Sequence, residues 1–140
     1  MTVEYLDLAD FLLIAEEITG LDVEILTKIS RISLADSALH APSAGFGDVD
    51  MYPDFVDKAA VLLVRVAMNH PLPDGNKRAA WVSMRMFVAI NGWTWDPYPH
   101  IDDAERTVVA IAAGELDEAA AADWLRQFLV APSEVEGADD

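Results

Sequence analysis

No cysteine occurs in the 140-residue chain, which excludes disulfides, thiolate metal sites and cysteine nucleophiles. Positive charge is scarce as well: 9 Lys and Arg stand against 25 Asp and Glu, a formal net charge of −16. A chain this acidic repels phosphate-rich polymers and anionic lipid, so neither nucleic acid nor a membrane is an expected direct partner. Long apolar runs are missing, since none approaches the roughly 18–20 residues that cross a bilayer. The opening residues MTVEYLDLAD are acidic where a secretory leader is basic, and a cytoplasmic location is expected. At 53% hydrophobic and 24% charged, the sequence is too apolar for a disordered chain. Its length corresponds to one domain with a full core, and no repeat or linker interrupts it.

What is present is helical periodicity. Asp7 can cap a first helix with Leu8, Phe11, Leu12, Ala15 and Ile18 on one face and Gly20 beyond its end. Asp22 opens a second, and Ser33 with Asp36 suggests a short third that ends before Pro42. The stretch PSAGFGDVDMYP, from Pro42 to Pro53, has no period and reads as a loop long enough to be functional. A very apolar helix follows, with Pro53 in its first turn and Phe55, Val56, Ala59, Leu62, Leu63 and Val66 among its core residues. His70-Pro71-Leu72-Pro73 ends it, and another long helix runs from Asn76 or Lys77 to Asn91-Gly92. Trp93-Thr94-Trp95 is β-prone and is expected to form a small ribbon with Val3-Glu4-Tyr5. Asp102 is expected to cap the next helix, and Leu116–Val130 to form the last. The expected fold class is all-α, a single-domain bundle of about six to seven helices over 1–130, with 131–140 an acidic, flexible tail.

The charge is unevenly placed. Residues 65–85 hold Arg65, Lys77, Arg78 and Arg85 against Asp74 alone, a local charge of +3 that leaves −19 for the remainder. Within this island, residues 69–78 read Asn-His-Pro-Leu-Pro-Asp-Gly-Asn-Lys-Arg between the two most apolar helices. Gly75 permits unusual backbone dihedrals and a close ligand approach. Beyond it, the first-turn amides of the helix form an anion site. Lys77 and Arg78 oppose the helix dipole there by roughly 0.3–1 kcal/mol each, and a bound phosphate reverses that sign. Arg85 lies two turns after Arg78 on the same face. Asp74 suits a magnesium ion shared with phosphates. His70 is the nearby group able to take a proton at neutral pH. Singly, each is an ordinary turn, cap or surface residue; together, in so acidic a chain, they favour phosphate chemistry.

The segment His70-Pro71-Leu72-Pro73-Asp74-Gly75-Asn76-Lys77-Arg78 resembles the signature of the Fic/Doc family, His-Pro-Phe-x-(Asp/Glu)-Gly-Asn-(Gly or Lys)-Arg. Asp36-Ser37-Ala38-Leu39, Pro42, Ala44-Gly45-Phe46, Tyr52-Pro53 and Asn91-Gly92 resemble its Doc branch. The resemblance implies a Fic-like helical bundle in which His70 is the catalytic base toward a Ser, Thr or Tyr hydroxyl of a protein. It also implies Asp74 as the Mg2+ ligand. Gly75, Asn76, Lys77 and Arg78 become the ATP phosphate site, and the loop around Gly45, Phe46 and Gly47 becomes a flap for the target chain.

Two departures sharpen this. Leu72 replaces the signature's phenylalanine, a buried anchor, and is expected to repack rather than fail. Lys77 stands where adenylyl-transferring members have glycine, and Trp81 where they have a second arginine. Both side with the Doc branch, whose reversed nucleotide makes the reaction phosphoryl transfer. Arg65 and Arg85 are candidate auxiliary cations. No Ser or Thr has Glu four residues later, so the family's internal inhibitory helix has no counterpart. The resemblance therefore implies a type II toxin held by a cognate antitoxin, whose disordered tail folds on it, with elongation factor Tu as the target. Adenylylation by the same residues is the alternative, and a catalytically silent nucleotide- or phosphopeptide-binding module is the second.

Overall fold

The computed structural model describes residues 2–133. The tail expected over 131–140 lies, from residue 134 on, outside the described residues. Among those described, seven α-helices carry the fold: α1 (Leu8–Thr19), α2 (Val23–Ile29), α3 (Ile32–His40), α4 (Phe55–Asn69), α5 (Asn76–Ile90), α6 (Ile101–Ala112) and α7 (Glu118–Arg126). A 3-10 turn spans Ala41–Ser43, and four two-residue strands, β1 (Gly45–Phe46), β2 (Val49–Asp50), β3 (Thr94–Trp95) and β4 (Leu129–Val130), make two antiparallel pairs. This is the mostly helical single domain that the periodicity predicts. None of these helices is long and apolar enough to cross a membrane.

Local chemistry explains most boundaries. Asp7 caps α1 in a box with Asp10, the two backbone-to-carboxylate bonds being 2.8 and 3.0 Å. Gly20 ends that helix at φ 75°, and Asp22 caps α2 by accepting from the Ile25 N–H at 2.9 Å. Some expected boundaries move. Asp54 caps α4, leaving Pro53 outside it; α3 starts at Ile32, so Ser33 sits within it. His100 caps α6, and Asp102 lies in its first turn. The expected last helix stops at Arg126, where Leu129–Val130 turns extended and pairs with Thr94–Trp95. The ribbon therefore exists with a different partner. Val3–Tyr5 cannot supply it, because the Asn91 side chain already pairs with the Glu4 N–H and C=O, both at 2.8 Å.

Helix α4 is the centre of the molecule, packed against α3, α5, α6 and α7. Val61, Leu62, Leu63 and Val66 are all buried there, and each such side chain contributes roughly 1.5–3 kcal/mol relative to exposure. Phe87 of α5 stacks on Phe55 at 4.8 Å and on Tyr5 at 5.9 Å, and Phe55 stacks on Trp93 at 4.8 Å. The start of α4 and the end of α5 are thus locked together. Their other ends are joined by residues 70–75, which inherit that rigidity.

Candidate active site

Helix α4 ends at His70 in the left-handed region, φ 48° and ψ 56°, a conformation that costs a non-glycine residue roughly 1–2 kcal/mol. Neighbouring groups hold it there. The Arg31 guanidinium donates to the His70 carbonyl, and the Arg31 N–H donates to the Pro71 carbonyl at 2.7 Å. The Asn69 side-chain amide donates to the Leu34 carbonyl at 3.0 Å. Leu72 is buried, so leucine keeps the apolar anchor expected at that position. The His70 side chain is exposed.

Asn76 closes the loop from below. Its Oδ1 accepts from the Leu72 N–H at 2.8 Å, and its Nδ2 donates to the Leu72 carbonyl at 2.9 Å. The Asn76 side chain, a phosphate candidate in the sequence, is thus engaged in shaping the loop, and its main-chain N–H opens α5. Gly75, at φ 78°, offers no side-chain cap. The N–H groups of Asn76, Lys77 and Arg78 open α5 without a helical acceptor, which suits an anion. The first turns of α1, α2, α4, α6 and α7 contain Asp or Glu, whereas those of α3 and α5 contain none. Just ahead, the exposed Asp74 accepts from the Gly75 N–H at 2.8 Å. Among the described residues no cluster of three or more His, Cys, Asp or Glu could cage a metal. One carboxylate beside an open helix start suits magnesium, which keeps waters and shares substrate oxygens.

From this turn a cleft of about 540 Å³ runs between α5 and α6, lined by Lys77, Arg78, Trp81, Arg85, Tyr98 and Ile101 among others. The Arg85 guanidinium lies 5.4 Å from the centre of the Tyr98 ring, a cation–π contact. Of the two candidate auxiliary cations, Arg85 thus lines the same cleft as Lys77 and Arg78, and Arg65 does not. The Arg65 Nε donates to Glu118 Oε1 at 2.8 Å, and Glu118 Oε2 accepts from the Tyr52 hydroxyl at 3.2 Å. Burial, reinforced by the Glu118 charge, raises the Tyr52 phenol above its ordinary pKa.

The loop from Pro42 to Pro53 is more ordered than its lack of period suggests. Strands β1 and β2 form a hairpin pairing Gly45 with Asp50 and Phe46 with Val49, with Gly47 at φ 62° in the turn. A Cβ on Gly45 would lie 2.5 Å from the Val49 carbonyl oxygen, so this strand position requires glycine. Phe46 is 90% exposed, and Val49 and Met51 are exposed beside it. Residues that sequence reasoning missed are Arg31, Lys58 and Glu118. Each acts through a partner distant in sequence, and local pattern carries no trace of that. The left-handed His70 would have needed a clamp, but nothing near it named Arg31.

A bundle whose central helix ends on a strained histidine, followed by a glycine-opened helix bearing Lys and Arg, defines a protein class that comparison with known proteins identifies. The model of the Fic/DOC family matches residues 5–88, and the chain belongs to that family. It is also similar to a curated protein named Toxin Doc, from Mycolicibacterium smegmatis (strain ATCC 700084 / mc(2)155). The two are 38% identical over 114 residues, which cover 81% of this chain and 85% of that relative.

Proposed function

We propose that this chain is the toxin of a type II toxin–antitoxin pair. In this reading it transfers the γ-phosphoryl group of ATP to a Ser or Thr hydroxyl of a protein, elongation factor Tu, and so blocks translation. The similarity to a protein named Toxin Doc supports the biological role. The observation that carries the chemistry is Lys77 beside Arg78 at the opening of α5, both lining the cleft that continues over Trp81. A lysine in this first turn adds charge where a glycine would leave an open backbone concavity. The aromatic wall of Trp81 and Tyr98 suits a nucleoside base, which directs the terminal phosphate toward the His70 end of the helix.

In this reading the hydroxyl oxygen attacks the γ-phosphorus while an imidazole nitrogen of His70 takes its proton. The bond from the γ-phosphorus to the bridging oxygen breaks, and ADP leaves. Lys77, Arg78 and the amides of residues 76–78 stabilise charge on the transferring group. Asp74 would hold Mg2+, which when bound neutralises phosphate charge. Expression of His70→Ala tests the reading in cells. Growth arrest should disappear with the base, and co-expression of the cognate antitoxin should relieve arrest by the unaltered protein. Arrest that survives His70→Ala would make the chain a silent binding module instead.

A further inference from the structure

We propose that Lys58 and Arg65 are positioning residues that fix the 45–50 hairpin to the helix carrying His70. They lie seven residues apart on α4, hence on one face, about 18 and 8 Å along the axis from His70. Lys58 is 2% exposed. Its ammonium donates to Asp50 Oδ2 at 2.6 Å and to the Pro42 carbonyl at 3.0 Å. One group thus staples the chain entering the hairpin to the strand leaving it, while its third side faces the Tyr5 ring at 5.5 Å. Arg65 holds the exit by a second route, through Glu118 to the Tyr52 hydroxyl.

Stability does not explain a lysine at this depth. Its partner Asp50 keeps 41% of its side chain exposed, and an ion pair open to water on one side contributes little net stability. Position does explain it. A hairpin with two residues per strand does not hold itself, and this one carries exposed Phe46, Val49 and Met51. At its base the main chain adds the Met51 N–H to the Ala44 carbonyl at 2.9 Å and the Ala44 N–H to the Ala41 carbonyl at 3.1 Å. With both cations in place, those apolar side chains keep one height and one direction relative to α4. This inference rests on the reading above, in which the hairpin receives the protein target.

The test pairs amide exchange with kinetics on the full chain. Lys58→Met fills the same volume without the staple, Asp50→Asn removes its acceptor charge from the surface side, and Asp50→Glu keeps that charge. Exchange over residues 44–52 should quicken at least tenfold in Lys58→Met and Asp50→Asn, with α4 and α5 unchanged and the melting temperature of Lys58→Met retained. Asp50→Glu should keep most of the protection. With γ-labelled ATP and purified elongation factor Tu, Lys58→Met should raise KM for the protein about tenfold, the loss expected for a charged hydrogen bond. Its kcat and KM for ATP should stay within about twofold. Unchanged exchange over 44–52, or a loss shared equally by kcat and KM for ATP, overturns the proposal. If the unaltered chain labels no elongation factor Tu, the functional reading fails, while the exchange measurement still decides the role of Lys58.

Discussion

Gly75→Ala adds one methyl group at the point where α5 begins, and two separate penalties follow. The residue sits at φ 78°, where alanine costs roughly 1–2 kcal/mol. The new Cβ would also lie 2.8 Å from Ile18 Cγ2, a branch methyl that moves only with its backbone or a rotamer change. Such overpacking costs roughly 1–3 kcal/mol. The sum, about 2–5 kcal/mol, is a large share of a domain's net stability and lowers the melting temperature by roughly 6–15 °C. The two penalties are separable. In an Ile18→Ala background the clash is gone and only the dihedral cost remains, so Gly75→Ala should be milder there by about 1–3 kcal/mol. Urea denaturation of the four proteins, followed by tryptophan fluorescence, measures that coupling. Equal cost of Gly75→Ala in both backgrounds would refute contact with α1 as the second reason for glycine at this turn.

Three further outcomes follow from the same geometry. Ser83→Ala should stabilise the fold by about 1 kcal/mol in urea titration, because the buried Ser83 hydroxyl finds no partner among the described residues. Asn76→Ala should cost about 1–3 kcal/mol and speed exchange of the Leu72 amide, since both bonds that pin the loop are lost. The hydrogen bond from Lys58 holds the Asp50 carboxyl below its ordinary value of 3.8. For Lys58, burial works to lower the pKa, but the bond to Asp50 and the nearby Tyr5 outweigh it and raise the ammonium above 10.5. The staple is therefore complete between these limits, lost on the acid side as pH falls through the depressed Asp50 value and on the alkaline side as pH rises through the raised Lys58 value. The Met51 methyl resonance, followed by NMR across the acid range, should move with a midpoint below 3.8; a midpoint at or above that value would contradict it.

Much of this molecule was legible in its sequence because its signals are local. Asp7, Gly20 and Asp22 act within a few residues of where they stand, and the apolar surface of α4 shows its central place without reference to any partner. The nine-residue run from His70 to Arg78 was equally readable as a loop between the two most apolar helices, with Gly75 opening the second. What escaped depends on distance in sequence. Trp93–Trp95 has the same strand preference whichever segment it meets, and the Asn91 side chain had already taken Glu4. Arg65 reads in the sequence as a candidate auxiliary cation, and only the fold shows that Glu118 pairs with it. Asn76 suits a phosphate ligand by type and position, whereas the structure shows its side chain bonded to the Leu72 main chain. Lys58 reads in sequence as one polar interruption of a helix, and only the fold shows what it holds.

Phosphoryl transfer from the end of the nucleotide nearest His70 is open to a direct test through the position of a label in ATP. The purified chain, elongation factor Tu and Mg2+ are supplied with ATP labelled on either the α- or the γ-phosphate. Label should reach the protein from the γ-position alone, with ADP as the second product. Label arriving from the α-position with release of pyrophosphate would contradict it, and would make the same histidine, aspartate and helix start an adenylyltransferase.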